Sequence, residues 1–109
     1  MAYDETLAER IGNLVATEAD ITTRKMFGGI AFMWRGNMLC GVMGDDMMAR
    51  VGRDQYEALL AEPGASRMDF TGRPMKGMIT VSGPAVLEDA DLAQWIARCQ
   101  QFVASLPAK

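Results

Sequence analysis

Apolar residues recur at helical spacing at both ends of the chain and at a shorter, glycine-broken spacing between them, and this change of period most constrains the fold. Near the start they fall at Leu7, Ile11, Leu14 and Val15, one helical face, with Asp4 positioned to cap the first turn. From Ile21 to Val51 glycine and methionine become dense and the pattern predicts three strands. The first runs from about Thr22 to Trp34, bent at Gly28-Gly29, with Ile30, Phe32 and Trp34 on one face. Gly36-Asn37 turns it into Met38 to Met43, and Gly44-Asp45-Asp46 leads into Met47 to Val51. A short helix over Asp54 to Ala61 stops at Pro63-Gly64. Arg67 to Phe70 and Met75 to Val81 form a hairpin around Thr71-Gly72-Arg73-Pro74, closed by Gly83-Pro84. Leu92, Trp95, Ile96, Cys99, Phe102, Val103 and Leu106 then keep helical spacing up to Pro107.

The order α-β-β-β-α-β-β-α, with runs of strands between helices, predicts an α+β fold: an antiparallel sheet with helices packed against it. The terminal helices are expected to pack through Leu7, Ile11, Leu14, Trp95, Ile96 and Phe102. With 109 residues and no linker, repeat or low-complexity tract, residues 1–109 read as one domain. A chain of this mass folds to a surface of roughly 6,000 Å², enough burial for a core without metal or disulfides.

The sequence has no histidine, which removes the commonest general base, the commonest zinc ligand and every Ser-His or Cys-His pair. Its two cysteines, Cys40 and Cys99, are far apart in segments that read as core, so reduced buried thiols are expected, as in a cytoplasmic protein. Two isolated thiols, and an Asp45-Asp46 pair without calcium-loop spacing, point to no metal and no cofactor. Acyl or thiol chemistry at Cys40 is the enzymatic alternative, although Leu39, Gly41 and Val42 beside it supply neither base nor cation. The start is acidic and lacks an apolar leader, and the longest apolar run, Ile30 to Trp34, is too short to cross a bilayer.

The net charge of −3 and pI near 4.8 argue against a charge-driven nucleic-acid binder. Residues 24–76 nevertheless hold eight bases against six acids, so the middle carries +2 and the flanks −5. Arg24 and Lys25 precede Gly28-Gly29, and Arg73 and Lys76 stand at the predicted hairpin turn. Gathered in one patch beside Phe27, these cations would meet an acidic partner, an anion or phosphate, which makes Arg24, Lys25, Phe27, Gly28, Gly29, Arg73 and Lys76 the candidate contacts. Nine of the ten methionines lie between Met26 and Met78. Methionine both fills irregular core space and builds adaptable binding surfaces, and the pattern leaves both uses open. An adaptable surface with Phe and Trp anchors puts a protein partner ahead of nucleic acid, and a small domain with a free edge strand is expected to form a homodimer.

Several of these residues together resemble a known family. Met26-Phe27-Gly28-Gly29, then Phe32, Gly36 and Met38, then Arg73-Pro74-Met75-Lys76-Gly77, and a closing Leu87-Glu88-Asp89 before the Trp95 helix look like the N-terminal domain of the TfoX/Sxy competence regulators. The resemblance spans nearly the whole sequence and implies an α+β fold with an antiparallel sheet. It also implies a bacterial cytoplasmic protein related to activators of DNA-uptake genes, which act with the cyclic-AMP receptor protein at promoters. Full-length members carry a second, helix-hairpin-helix-like domain that has no counterpart in these residues, and the family supplies no catalytic residue. The expectation is a regulatory or protein-interaction module without catalytic activity.

Overall fold

Asp4 accepts a hydrogen bond from the Leu7 N–H at 3.1 Å and so satisfies one of the free donors that every helix start leaves. It opens α1 (Glu5–Val15), which buries Leu7, Ala8, Ile11 and Val15. Leu14, expected among them, is 40% exposed. At 100° per residue, the arc from Leu7 to Ala8 holds all four buried side chains, and Leu14 lies about 20° outside it on the far side of Leu7.

The computed structural model describes residues 3–26, 28–70 and 73–108; for Met26, Asp69, Phe70 and residues 73–75 it describes the backbone alone. After α1 come β1 (Ile21–Met26), β2 (Gly29–Trp34), β3 (Asn37–Met43), β4 (Asp46–Arg50), α2 (Arg53–Leu60), β5 (Ala65–Phe70), β6 (Arg73–Val81), a 3-10 turn (Gly83–Val86) and α3 (Asp89–Val103). The fold is the α+β class read from the sequence, with four strands rather than three before α2. The segment read as one bent strand from Thr22 to Trp34 reverses completely: Gly28 takes φ 75° and Met26 pairs with Gly29. A bulge does occur, but further on, where the β2–β3 register shifts between Phe32 and Met33. Likewise, the β2–β3 turn is Arg35-Gly36, one residue before the expected pair. Both central residues have positive φ, 53° and 83°, the geometry that matches strand twist in a two-residue hairpin. Asn37 is thereby drawn into β3, where it is buried and its amide donates to the Pro107 carbonyl at 2.9 Å.

The six strands form one sheet in the order β1-β2-β3-β4-β6-β5, with every neighbouring pair antiparallel. Cross-strand rows alternate between its faces. The row Ile30, Val42, Met47, Val81 belongs to the main core together with residues of all three helices. The row Ala31, Gly41, Met48, Thr80 faces the other way. At the bulge, Leu39 and Cys40 both join the main core, so the alternation slips by one residue and Met38 falls on the opposite face. There Met48, Met68 and Met78, with Met38 and Met43 beside them, make a second cluster that includes no helical residue.

On the main face α3 lies over β3 and β4, α2 over β6 and β5, and α1 against β3 and α3. Leu92, Trp95, Ile96, Cys99 and Val103 are the buried stripe of α3, and Phe102 is half-buried at its margin. The total surface is 6312 Å², close to that of a folded chain of this mass.

Arg10 fastens α1 to the start of α3. Its guanidinium donates to the carbonyls of Val86 and Leu87, each at 2.9 Å, and to Asp89 Oδ1 at 2.9 Å. Asp89 is 86% exposed, so solvent screens the ion pair, whereas the two carbonyls have the guanidinium as partner. Arg10→Met is therefore expected to lower unfolding free energy by about 2 kcal/mol, and Asp89→Asn by less than about 1 kcal/mol. Urea titrations of the two variants check the ordering, and equal losses would contradict it.

Candidate functional site

Gly52 and Gly77 bring the start of α2 against β6. Gly77 takes φ 94°, and its carbonyl accepts from the N–H groups of Val51 at 2.9 Å and Gly52 at 3.2 Å. Gly52 takes φ 84° and lies under the Phe102 ring so closely that a Cβ there would stand 2.7 Å from Cε1. Only glycine meets both demands, a left-handed backbone and no side chain. This approach leaves a cleft of about 510 Å³ between the first turn of α2, β6 and the end of α3.

Four cations line the cleft, Arg50, Arg53, Lys76 and Arg98, with Asp54 as the acid among them. Two are held by partners. Arg98 donates to Glu62 Oε1 at 3.0 Å and lies 4.7 Å from the Trp95 ring centroid. Arg50 donates to the Met38 carbonyl at 3.3 Å and lies 5.5 Å from the Phe102 centroid. Arg53 and Lys76 are exposed and make no ion pair among the described residues. Gly52, at the cap position of α2, has no side chain to close the helix start.

The candidate contacts read from the sequence do not form one described patch. Arg24 and Lys25 are exposed neighbours on the edge strand β1 and project to opposite faces, Arg24 in the row of Ala31 and Lys25 in that of Ile30. Gly28 lies in the β1–β2 turn beside them, and Gly29 opens β2 paired with Met26. Phe27 lies outside the described residues, and Arg73 is described by its backbone at the start of β6. Lys76 is on β6, four strands from β1, about 19 Å along the sheet at ~4.8 Å per strand. It joins Arg50, Arg53 and Arg98 instead, three residues that sequence reasoning missed. Their only local signal is that Arg53 adjoins one of the two glycines and Lys76 the other.

Cys40 and Cys99 both lie in the main core. Both are fully buried, and burial raises the Cys40 pKa well above 9.0, with the neighbouring Cys99 adding to the shift. Burial pushes Cys99 up to about 12. Among the described residues, no three His, Cys, Asp or Glu side chains are grouped to hold a metal ion, and no helix is long and apolar enough to cross a membrane.

The TfoX N-terminal domain family matches residues 13–103, and the chain belongs to that family. The matched span begins in the last turn of α1, runs to the end of α3 and takes in the whole sheet and the four cations of the cleft. No curated protein and no solved structure matches the chain.

Two outcomes follow from this geometry. Gly52→Ala forces a methyl group into the Phe102 ring at a positive φ, so it is expected to cost more than about 1 kcal/mol in a denaturant titration. The thiols, whose ordinary pKa is near 9.0, stay protonated in the folded state to much higher pH. Above about pH 9 the unfolded chain binds fewer protons than the folded one, so stability falls as pH rises. For Cys99 the loss spans pH 9 to about 12. A shallower fall of the denaturation midpoint over that window in Cys40→Ala with Cys99→Ala is the expected result.

Proposed function

We propose that this domain is a non-catalytic regulatory module that works by binding a protein partner on the sheet face opposite its helices. The observation that carries the reading is the second methionine cluster. Met48, Met68 and Met78 are buried within it, whereas Met33, Met38 and Met43 on β2 and β3 are half-exposed. Flexible thioether side chains adapt to an apolar counterface without a preformed pocket. Arg24 stands at the edge of the same face, so a partner with apolar residues flanked by acidic ones complements it. Membership of a family of competence-regulator domains supports a regulatory role. The deep burial of Cys40 weighs against the enzymatic alternative, and the distance between Arg24 and Lys76 against the particular basic patch, Arg24 and Lys25 with Arg73 and Lys76, on which a nucleic-acid reading would rest. Reduced, unpaired cysteines suit a cytoplasmic setting.

The test is a titration with the purified partner, captured first from the source cells with the wild-type domain as bait. Met33→Gln with Met38→Gln is expected to weaken binding at least tenfold while leaving the melting temperature within a few degrees of wild type. Unchanged binding in that variant, or rapid iodoacetamide labelling of Cys40 in the native protein at neutral pH, would overturn the reading. Light scattering separates a foreign partner from a second copy paired along β1, the homodimer the sequence suggests.

A further inference from the structure

We propose that the cleft between α2, β6 and α3 is a binding site for a small organic phosphate. Among the described residues, four of the chain's eleven basic residues line this one cleft with one acid, Asp54, in a protein whose net charge is −3. Like charges are not brought together on an acidic protein without electrostatic cost, and an anion between them removes that cost. The volume of about 510 Å³ is that of a small-molecule site rather than of a macromolecular interface.

The two kinds of cation in the cleft divide the work. Arg50 and Arg98 are already fixed, one by the Met38 carbonyl and Phe102, the other by Glu62 and Trp95; Glu62 offsets the charge of Arg98, so Arg50 supplies the positive field from a side chain with little ordering left to do on binding. Arg53 and Lys76 have no ion-pair partner among the described residues and are exposed, which leaves their donors available to a phosphate. A guanidinium fork suits two phosphate oxygens at once, and an ammonium supplies a mobile point charge to a third. Phe102 and Met78 give the cleft an apolar wall for the organic part of the ligand. Asp54 opposes an anion, and its place beside Arg53 makes the site selective for a charge dense enough to overcome it, a phosphate rather than a single carboxylate.

The experiment is an amide NMR titration of the full chain with inorganic phosphate, glycerol 3-phosphate, glycerol and acetate. Saturable shifts confined to Gly52, Arg53, Asp54, Lys76 and Gly77 are expected with both phosphates, tighter with glycerol 3-phosphate, and none with glycerol or acetate. Arg53→Gln with Lys76→Gln, two exposed positions, is expected to weaken glycerol 3-phosphate binding at least tenfold without altering the melting temperature. Arg24→Gln with Lys25→Gln, on the far edge strand, is expected to leave it unchanged. Saturation by acetate at the same residues, equal losses in both variants, or no saturable shifts with either phosphate would each overturn the proposal. Met78 belongs to both the cleft and the methionine cluster, but the variants used here leave Met33 and Met38 in place, so the partner-binding reading stands or falls separately.

Discussion

Burial of the α3 stripe on the two central strands is the interaction on which the rest of the structure depends. Leu39, Cys40, Val42, Met47 and Ala49 on β3 and β4 are completely buried, in the same core as Leu92, Trp95, Ile96, Cys99 and Val103 of α3. Each large apolar side chain withdrawn from water contributes about 1.5–3 kcal/mol, and without the helix this face of the sheet would stand in solvent. The other elements attach to what α3 covers. Arg10 ties α1 to its start, the Arg98–Glu62 pair links the segment after α2 to its later turns, and Asn37 holds the segment after it at Pro107.

The same helix shapes the cleft. Phe102, at the margin of its buried stripe, is stacked by Arg50 and pressed onto Gly52, so the position of one aromatic ring sets both the backbone approach and the direction of a lining cation. Arg98 has its direction fixed by Trp95, one turn of the helix away. The basic character of the cleft is thus a by-product of core packing as much as of surface composition. The opposite face obeys a different rule. Its methionines pack on one another across Gly41, where a Cβ would stand 2.7 Å from the Met48 methyl group, and its conformation is correspondingly less dependent on α3.

Helical and strand periods, capping by Asp4 and the turn residues of the hairpins are encoded over a few neighbouring positions. They were legible wherever one local signal prevailed. Ile30, Phe32 and Trp34 do share the core face, α3 buries Leu92, Trp95, Ile96, Cys99 and Val103 of its stripe, α1 buries Leu7, Ile11 and Val15 but leaves Leu14 exposed, and the sheet is antiparallel as the order of elements requires. Errors arose where one local signal has two geometric outcomes. A Gly-Gly pair permits a bend or a full reversal, and pairing of Lys25 with Ile30 selects the reversal. Arg35 at positive φ belongs to a residue type that rarely adopts it, so the sequence places the turn one position later than the structure does.

The sequence by itself determined the class of fold, the burial of its cysteines, the absence of histidine chemistry and the family. Each of these follows from residue type or from spacing along the chain. Only the tertiary structure decided which cations stand together, which methionines are core and which are surface, and where the cleft lies. Arg50 and Arg53, Lys76 and Arg98 come from three separate parts of the chain, and no local period links them. Their meeting is set by strand order and by the crossing of α3 over the sheet. A single bulge at Leu39 shifts every side chain before it in β3 to the other face, because a period of two is reversed by one extra residue.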